Sequence, residues 1–251
     1  MKKLIIASAI TAAFAGHAAY AEEAAAPAAT PDNVVTYNVG LASEYRYRGI
    51  SQSQKDPALS AGADYTHNPT GLYLGTWASN IKWITDTGGD AEFEIDVYGG
   101  KRGEIAAGAT YDVGFINYNY PNNNYRSVGF PSANTVEVYG QAGYDVFTLK
   151  YSHALSDWVG FANSRNSHYF DLSANPELYG GYVLNLHAGR QIVKGNDANY
   201  TDWKVGVTKD YGIAVAAVAV VGTTAINEDT YKFGPKFIGR TGVFASLTKN
   251  F

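Results

Sequence analysis

The chain has 251 residues, with no cysteine, 20 tyrosines, 27 glycines and a formal net charge of -4. A chain without cysteine cannot use disulfides, so its stability has to come from burial and backbone hydrogen bonding. Its 19 basic residues do not outnumber its 23 acidic ones and form no long basic run, which excludes the electrostatic footprint of a nucleic-acid-binding protein.

The N-terminal residues have the order of a secretory signal. Lys2 and Lys3 precede an apolar stretch from Leu4 to Ala15, and a small-x-small motif ends at Ala21. We therefore predict a cleaved signal peptide over residues 1–21, a flexible Ala/Pro-rich lead-in over 22–33 and one domain over 34–251. An uncleaved anchor is the alternative, although the apolar stretch is short for a membrane helix.

From Val34 onwards the dominant pattern is an alternation of apolar and polar residues. We predict a first strand from Val34 to Ile50, with valines and tyrosines at odd positions and polar or charged residues at even ones. The same period recurs in later segments of about nine to eleven residues, the length that a tilted strand needs to cross a bilayer. Each strand therefore has one apolar face and one polar face.

The connections between these strands alternate in length. Tight turns such as "HNPTG", "KRG" at Lys101 to Gly103 and "KDYG" follow long polar loops such as "PNNNYRSVGFPSA". This arrangement predicts an all-β fold: a single up-and-down antiparallel transmembrane β-barrel of about twelve strands, with short periplasmic turns and longer extracellular loops. A soluble sandwich or lipocalin-like barrel is the alternative, because alternation alone is compatible with it.

In a membrane barrel the polar face lines a pore and the apolar face meets lipid. The predicted pore-lining residues are Glu44, Arg46, Arg48, Asp64, Glu92, Glu94, Asp96, Asp112, Glu137, Lys150, Asp202 and Lys204. The predicted membrane-girdle residues are Tyr45, Tyr47, Tyr118 and Trp203, and the predicted insertion signal is the terminal Phe251. Acids exceed bases in the predicted lumen, which favours a modest cation preference. These charges could instead pair across the interior and plug it.

The sequence offers no convincing catalytic or metal site. Ser152 precedes His153, but neighbouring strand residues face opposite sides, and no "GxSxG" is present. The carboxylates of Glu92, Glu94 and Asp96 lack the curved loop that calcium usually requires. We predict a protein that is not an enzyme and has no metal or other cofactor.

Three motifs carry a resemblance to a known family. They are "YRYRGISQ" at Tyr45 to Gln52, "DPAL" at Asp56 to Leu59 and "GLYLGTWASN" at Gly71 to Asn80. The chain resembles the TorF-like porin family, also catalogued as the Gcw_chp bacterial outer-membrane family. The resemblance implies a signal-bearing outer-membrane barrel described as a porin and supplies no catalytic residues. The chain departs from the family at one point: an acidic residue is expected soon after the asparagine of "WASN", but the chain continues with "IKWITDTGG".

These observations predict a porin-like channel in the bacterial outer membrane for passive diffusion of small hydrophilic solutes or ions. The expected partners are outer-membrane lipid and lipopolysaccharide, the barrel-assembly machinery through the C-terminal strand, and the solutes themselves, with no nucleic acid. The first alternative is a plugged structural or adhesive barrel that acts through its extracellular loops. The least favoured alternative is an outer-membrane hydrolase.

Overall fold

The computed structural model describes residues 31–233 and 235–251. The predicted signal peptide and most of the predicted lead-in lie outside the described residues. In the described part of the chain, no helix is long and apolar enough to cross a membrane.

Twelve antiparallel strands form one closed barrel, which confirms the predicted fold class. The barrel strands are β1 (Asn33–Ala42), β4 (Ala58–His67), β5 (Leu72–Asn80), β6 (Phe93–Ala106), β7 (Ala109–Asn119), β8 (Thr135–Tyr144), β9 (Phe147–Ala154), β10 (His168–Ala174), β11 (Tyr182–Ile192), β12 (Tyr200–Asp210), β13 (Val215–Thr224) and β16 (Gly242–Asn250). Two short hairpins lie outside the barrel sheet: β2 (Arg46–Tyr47) with β3 (Ile50–Ser51), and β14 (Lys232–Phe233) with β15 (Lys236–Phe237).

The order of the strands is up-and-down, and the last strand closes the barrel on the first. Each barrel strand pairs with its predecessor and successor, and β1 pairs with both β4 and β16. An even number of antiparallel strands places both ends of the barrel chain on the same side. Closure leaves no unpaired sheet edge, which a β-protein in lipid requires.

The strands alternate as the sequence pattern requires. In β12, Val205 and Val207 are exposed on the outside, whereas Asp202 and Thr208 are buried inside. β1 likewise exposes Val35, Val39 and Leu41. A soluble protein would bury such a continuous apolar exterior, so this surface fits lipid rather than water.

The connections form two ends of different character. One end has the short segments 68–71, 107–108, 145–146, 175–181 and 211–214. The start of β1 and the end of β16 lie at this end as well. The other end has the long segments 43–57, 81–92, 120–134, 155–167, 193–199 and 225–241. They contain one α-helix, α1 (Trp83–Asp86), and 3-10 turns at Tyr125–Val128 and Asp229–Tyr231, while a third 3-10 turn, Tyr179–Gly181, lies at the short-turn end.

One predicted turn lies elsewhere. The segment from Lys101 to Gly103 is inside β6, which continues to Ala106. The chain reverses at residues 107–108, where Gly108 adopts φ +77°. Glycine is the residue that takes a positive φ without steric cost, and "AAG" fills this role better than the charged "KRG".

The largest difference from the prediction is in the first strand, which ends at Ala42 instead of Ile50. Beyond Ala42 the chain turns into the barrel, and β2 and β3 form a hairpin there. Arg48 and Gly49 make the turn, with φ +46° and +80°. Two consecutive positive φ values are the mark of a type I′ turn, the two-residue connection that suits a tight hairpin.

Candidate functional site

The segment Ser43–Pro57, called the plug below, fills the long-loop half of the barrel interior. Tyr45, Arg46, Ser51 and Gln54 in this segment are at most 3% exposed. The plug leaves the wall between β1 and β4. Gly49, at the tip of the plug, lies against Asp202 on β12 and Gly222 on β13. The plug therefore crosses from one side of the interior to the other.

Arg48 fastens the tip of the plug to the wall. Its guanidinium makes two hydrogen bonds to the Glu137 carboxylate, at 3.0 and 2.6 Å, and a third at 2.8 Å to Oε1 of Gln191. The guanidinium carbon also lies 4.7 Å from the ring centroid of Tyr47 and 4.2 Å from that of Tyr169. Bidentate pairing and stacking are the two geometries that arginine makes and lysine does not.

The charge of Arg48 persists in spite of its burial. Burial by itself lowers the pKa of the guanidinium, but the adjacent Glu137 carboxylate outweighs it, and the pKa of Arg48 is raised well above its ordinary value. A buried ion pair of this kind is stable only when both partners are present.

Three predicted girdle residues point into the barrel. Tyr45, Tyr47 and Tyr118 are all buried. The Tyr45 hydroxyl donates to Oε1 of Glu94 at 2.8 Å, and the Tyr47 hydroxyl donates to that of Tyr118 at 3.0 Å. These tyrosines therefore do not form the predicted outward girdle. The chain turns inward before Tyr45 and Tyr47, and Tyr118 lies at a position of β7 whose side chains point into the barrel. Trp203 is half-buried and shares its parity with the exposed Val205 and Val207.

Exposed aromatic side chains lie at both ends of the barrel wall. Phe93, Tyr151 and Phe170 are near the long loops, and a larger set is at the short-turn end. The set at the short-turn end comprises Tyr37, Tyr65, Tyr144, Phe147, Tyr182, Tyr211 and Phe251. Phe251 is 69% exposed, and its backbone exchanges two hydrogen bonds with Tyr37 on β1. Aromatic rings at a barrel rim are typical of a membrane interface. The role of Phe251 as an insertion signal stays a prediction.

Most of the predicted pore-lining charges lie inside the barrel. Glu94, Asp96, Asp112, Glu137 and Asp202 are buried, and Asp64 accepts a hydrogen bond from the Tyr98 hydroxyl. Glu44 and Arg46 belong to the plug, where they form an ion pair at 2.9 Å. Glu92 differs from the rest: it is exposed in the loop before β6. In the described part of the chain, no three acidic or histidine side chains form a group that could hold a metal ion.

A polar network lies inside the barrel on the strands β5 to β9. The Tyr73 hydroxyl donates to Oδ1 of Asp112 at 2.6 Å and also contacts the Tyr139 hydroxyl. Nζ of Lys150 lies 4.0 Å from the Tyr139 ring, and the guanidinium of Arg102 lies 5.0 Å from the Tyr73 ring. Sequence reasoning missed Arg102 as an interior cation because it placed residues Lys101 to Gly103 in a turn. The alternation of β6 itself could have found it.

A second interior cluster surrounds His187 on β11. Its Nε2 lies 2.7 Å from Oδ2 of Asp202, and its Nδ1 lies 3.4 Å from Oδ1 of Asp171. Ser173 donates to Oδ1 of Asp171 at 2.8 Å and also contacts His187 at 3.2 Å. The hydroxyl proton of Ser173 is therefore engaged by the Asp171 carboxylate rather than by the ring of His187, so the two residues do not have the arrangement of a nucleophile and its base.

The adjacent Ser152 and His153 do not form a catalytic pair either. Ser152 is buried inside the barrel, whereas the His153 ring contacts Tyr151 and Asn166 on the exposed side. Their separation follows from the two-residue period of a strand, as their adjacent positions in the sequence predict.

A closed antiparallel barrel of twelve strands, apolar outside and rich in ionisable groups inside, defines a transmembrane β-barrel. The chain belongs to the family described as "Bacterial protein of unknown function (Gcw_chp)", whose model matches residues 24–251. No curated protein matches the sequence.

Solved porin structures share the fold. The KdgM porin in complex with disordered oligogalacturonate is 8% identical, with a TM-score of 0.55, and the match covers 86% of this chain and 98% of that one. The NanC porin is 9% identical, with a TM-score of 0.53, covering 87% of this chain and 99% of the other. At such identities the likeness shows the fold alone.

Proposed function

We propose that the protein is an outer-membrane channel for small hydrophilic solutes or ions, and that its long-loop mouth is closed by the plug in the conformation described here. The observation that carries the proposal is a barrel of porin-like fold whose polar interior is crossed by one inward-folded loop. Outer-membrane lipid and lipopolysaccharide would surround the apolar exterior, and the C-terminal strand would engage the barrel-assembly machinery.

The chemistry of the plug supports a gate rather than a permanent core. Its tip is attached through the Arg48 ion pair and the amide of Gln191, which are polar contacts that water can replace. The interior wall beyond the tip is polar as well, since it carries Asp112, Lys150 and Asp171. A passage that opens by moving the plug would therefore be lined by groups that water can solvate.

The charges of the interior support a preference for cations. The KdgM structure holds an oligogalacturonate, which is a polyanion. This chain instead presents two adjacent buried carboxylates, Glu94 and Asp96, close to the plug. A narrow passage with such a pair attracts cations and repels polyanions.

A permanently plugged barrel that acts through its loops is the second candidate. It is favoured by a shared apolar cluster, in which Tyr47 and Ile50 of the plug join Trp83, Tyr125 and Trp158 of the long loops. If this cluster never opens, the protein folds and inserts but conducts nothing.

Removing the plug separates the two candidates. Ala42 and Ala58 are direct partners in the register of β1 and β4, so an Asn-Gly turn can replace Ser43–Pro57 without shifting either strand. We expect the wild-type protein to show rare or small openings in a planar bilayer, and the plug-deleted variant to conduct steadily. Folding and insertion of both are checked by circular dichroism and by heat-dependent gel mobility.

Two results would oppose the channel proposal or the closing role of the plug. A plug-deleted variant that is folded, inserted and silent would rule out a channel. Equal, steady conductance of the wild-type and plug-deleted proteins would rule out closure by the plug. As an independent variant, Arg48→Met should increase the open probability, whereas Arg126→Met, which changes an exposed loop arginine, should leave it unaltered.

A further inference from the structure

A cavity of about 340 Å³ lies between the plug and the long loops. Tyr47, Ile50 and Gln52 of the plug contribute to its lining, and the other lining residues come mostly from the long loops. A volume of this size is at the lower end of the range for small-molecule sites, and it suits one or two fused rings.

The lining of the cavity is aromatic and carries no charge. Its rings include Trp83, Tyr125, Phe130, Trp158 and Phe161, and none of its lining residues is acidic, basic or a histidine. Several rings are already ordered by contacts with each other: Trp158 stacks on Phe161 at 5.8 Å, and Trp83 meets Tyr125 edge-on at 5.6 Å. Preformed aromatic walls favour a flat apolar occupant, whereas an ion would lose its hydration without compensation.

Three of the lining side chains also carry unused hydrogen-bonding groups. The indole N–H groups of Trp83 and Trp158 and the hydroxyl of Tyr200 are buried and have no partner among the described residues. The other tyrosines of the lining differ, since Tyr231 donates to the carbonyl oxygen of Ala198 at 2.6 Å and Tyr125 contacts Thr87. Buried donors without an acceptor are costly, so an occupant that supplies acceptor atoms would be favoured.

We infer that this cavity binds a neutral, flat, mostly apolar small molecule with one or two hydrogen-bond acceptors. The aromatic walls supply most of the contact area, and an acceptor atom of the occupant would give the indole N–H groups the partner that they lack among the described residues.

Coumarin is a suitable probe because it is neutral, flat and bears a lactone acceptor. Two analogues separate the contributions: naphthalene lacks the acceptor, and coumarin-3-carboxylate adds a charge. Binding to the full-length mature protein in micelles is measured by saturation-transfer NMR, with empty micelles as the blank. We expect saturable binding of coumarin, weaker binding of naphthalene and no binding of the carboxylate.

Variants locate the probe in the cavity. Trp83→Phe and Trp158→Phe keep an aromatic ring but lose the N–H, and each should weaken coumarin binding by about three- to tenfold while leaving naphthalene binding nearly unchanged. Ala162→Trp fills the cavity from an exposed loop position and should abolish binding. Trp203→Phe, on the barrel wall, is the matched control and should have no effect.

Several outcomes would overturn the inference. They are a signal no greater than that of empty micelles, equal binding to the Ala162→Trp variant, and equal binding of coumarin and its carboxylate. Because conductance is not measured, these outcomes are independent of whether the barrel is a channel.

Discussion

At the scale of single residues, Arg48 has the most consequential contacts in the interior. It lies in a loop, yet it reaches β8 through Glu137 and β11 through Gln191, and two tyrosine rings flank it. Its ion pair is buried at both ends, with side chains 7% and 1% exposed. A pair of this kind fixes the position of the plug more than it raises the stability of the barrel, because desolvation offsets much of the attraction.

A double-mutant cycle tests this pairing. Arg48→Met and Glu137→Gln should each destabilise the folded protein with its plug docked by about 3–5 kcal/mol, because each leaves a buried partner uncompensated while the plug stays in place. The double variant should cost less than the sum of the two, with a coupling of about 1–3 kcal/mol. The free energy of unfolding is measured by urea titration in lipid vesicles.

The ion pair between Lys82 and Asp56 serves as the control, since both side chains are about half exposed. Their hydrogen bond of 2.7 Å lowers the pKa of Asp56. Solvent screens such a pair, and the corresponding cycle with Lys82→Met and Asp56→Asn should show no measurable coupling. Additive effects of Arg48→Met and Glu137→Gln would contradict the role given to the Arg48 pair.

At the scale of elements, the plug is the feature that sequence reasoning misjudged. The alternating segment that contains Tyr45, Arg46, Tyr47 and Arg48 forms a short hairpin inside the barrel instead of a wall strand. Period two indicates an extended strand and does not indicate which sheet the strand joins. The dipeptide Arg48-Gly49 was the local sign of a turn, since glycine there permits a tight reversal.

The turn of the plug leads to a prediction about Gly49. A Cβ at this position would lie 2.6 Å from Cβ of Asp202 on the rigid wall, in addition to the strain of φ +80°. Gly212 is the matched control, because it has φ +79° and nothing within 4 Å of its Cβ position. Gly49→Ala and Gly212→Ala introduce the same backbone strain, but only Gly49→Ala also creates a steric clash. Gly49→Ala should therefore destabilise docking of the plug by roughly 1–3 kcal/mol beyond the shared strain.

Trypsin provides the measurement, because the plug contains Arg46, Arg48 and Lys55 as cleavage sites. In the Gly49→Ala variant these sites should be cut faster than in the wild-type protein, since a loosened plug exposes them more often. Gly212→Ala should be cut at the wild-type rate. Equal cleavage of Gly49→Ala and the wild type would show that the tip of the plug does not depend on this close contact.

At the scale of the whole molecule, the barrel was predictable and its filling was not. Strand number, the alternation of loop lengths and the inward placement of Asp112, Glu137 and Asp202 follow from local patterns that repeat around a closed sheet. Whether a long loop folds over the mouth or into it depends on contacts far apart in sequence, such as Arg48 with Gln191, 143 positions away. No local pattern encodes such a contact.

The distribution of charge leads to a prediction about ion selectivity. Deleting the plug removes Arg46 and Arg48 together with Glu44, and it leaves the Glu137 carboxylate without its partner. The interior becomes more acidic, so the plug-deleted variant should show the reversal potential of a cation-selective pore in a salt gradient.

In the plug-deleted protein, Glu94→Gln with Asp96→Asn should reduce the cation-to-anion permeability ratio by roughly twofold or more, because both carboxylates face the passage. Glu92 continues the same two-residue spacing as Glu94 and Asp96, but it is exposed outside the interior. Glu92→Gln should therefore leave the permeability ratio unaltered. A larger effect from Glu92 than from the buried pair would show that ions are selected at the outer rim rather than within the barrel.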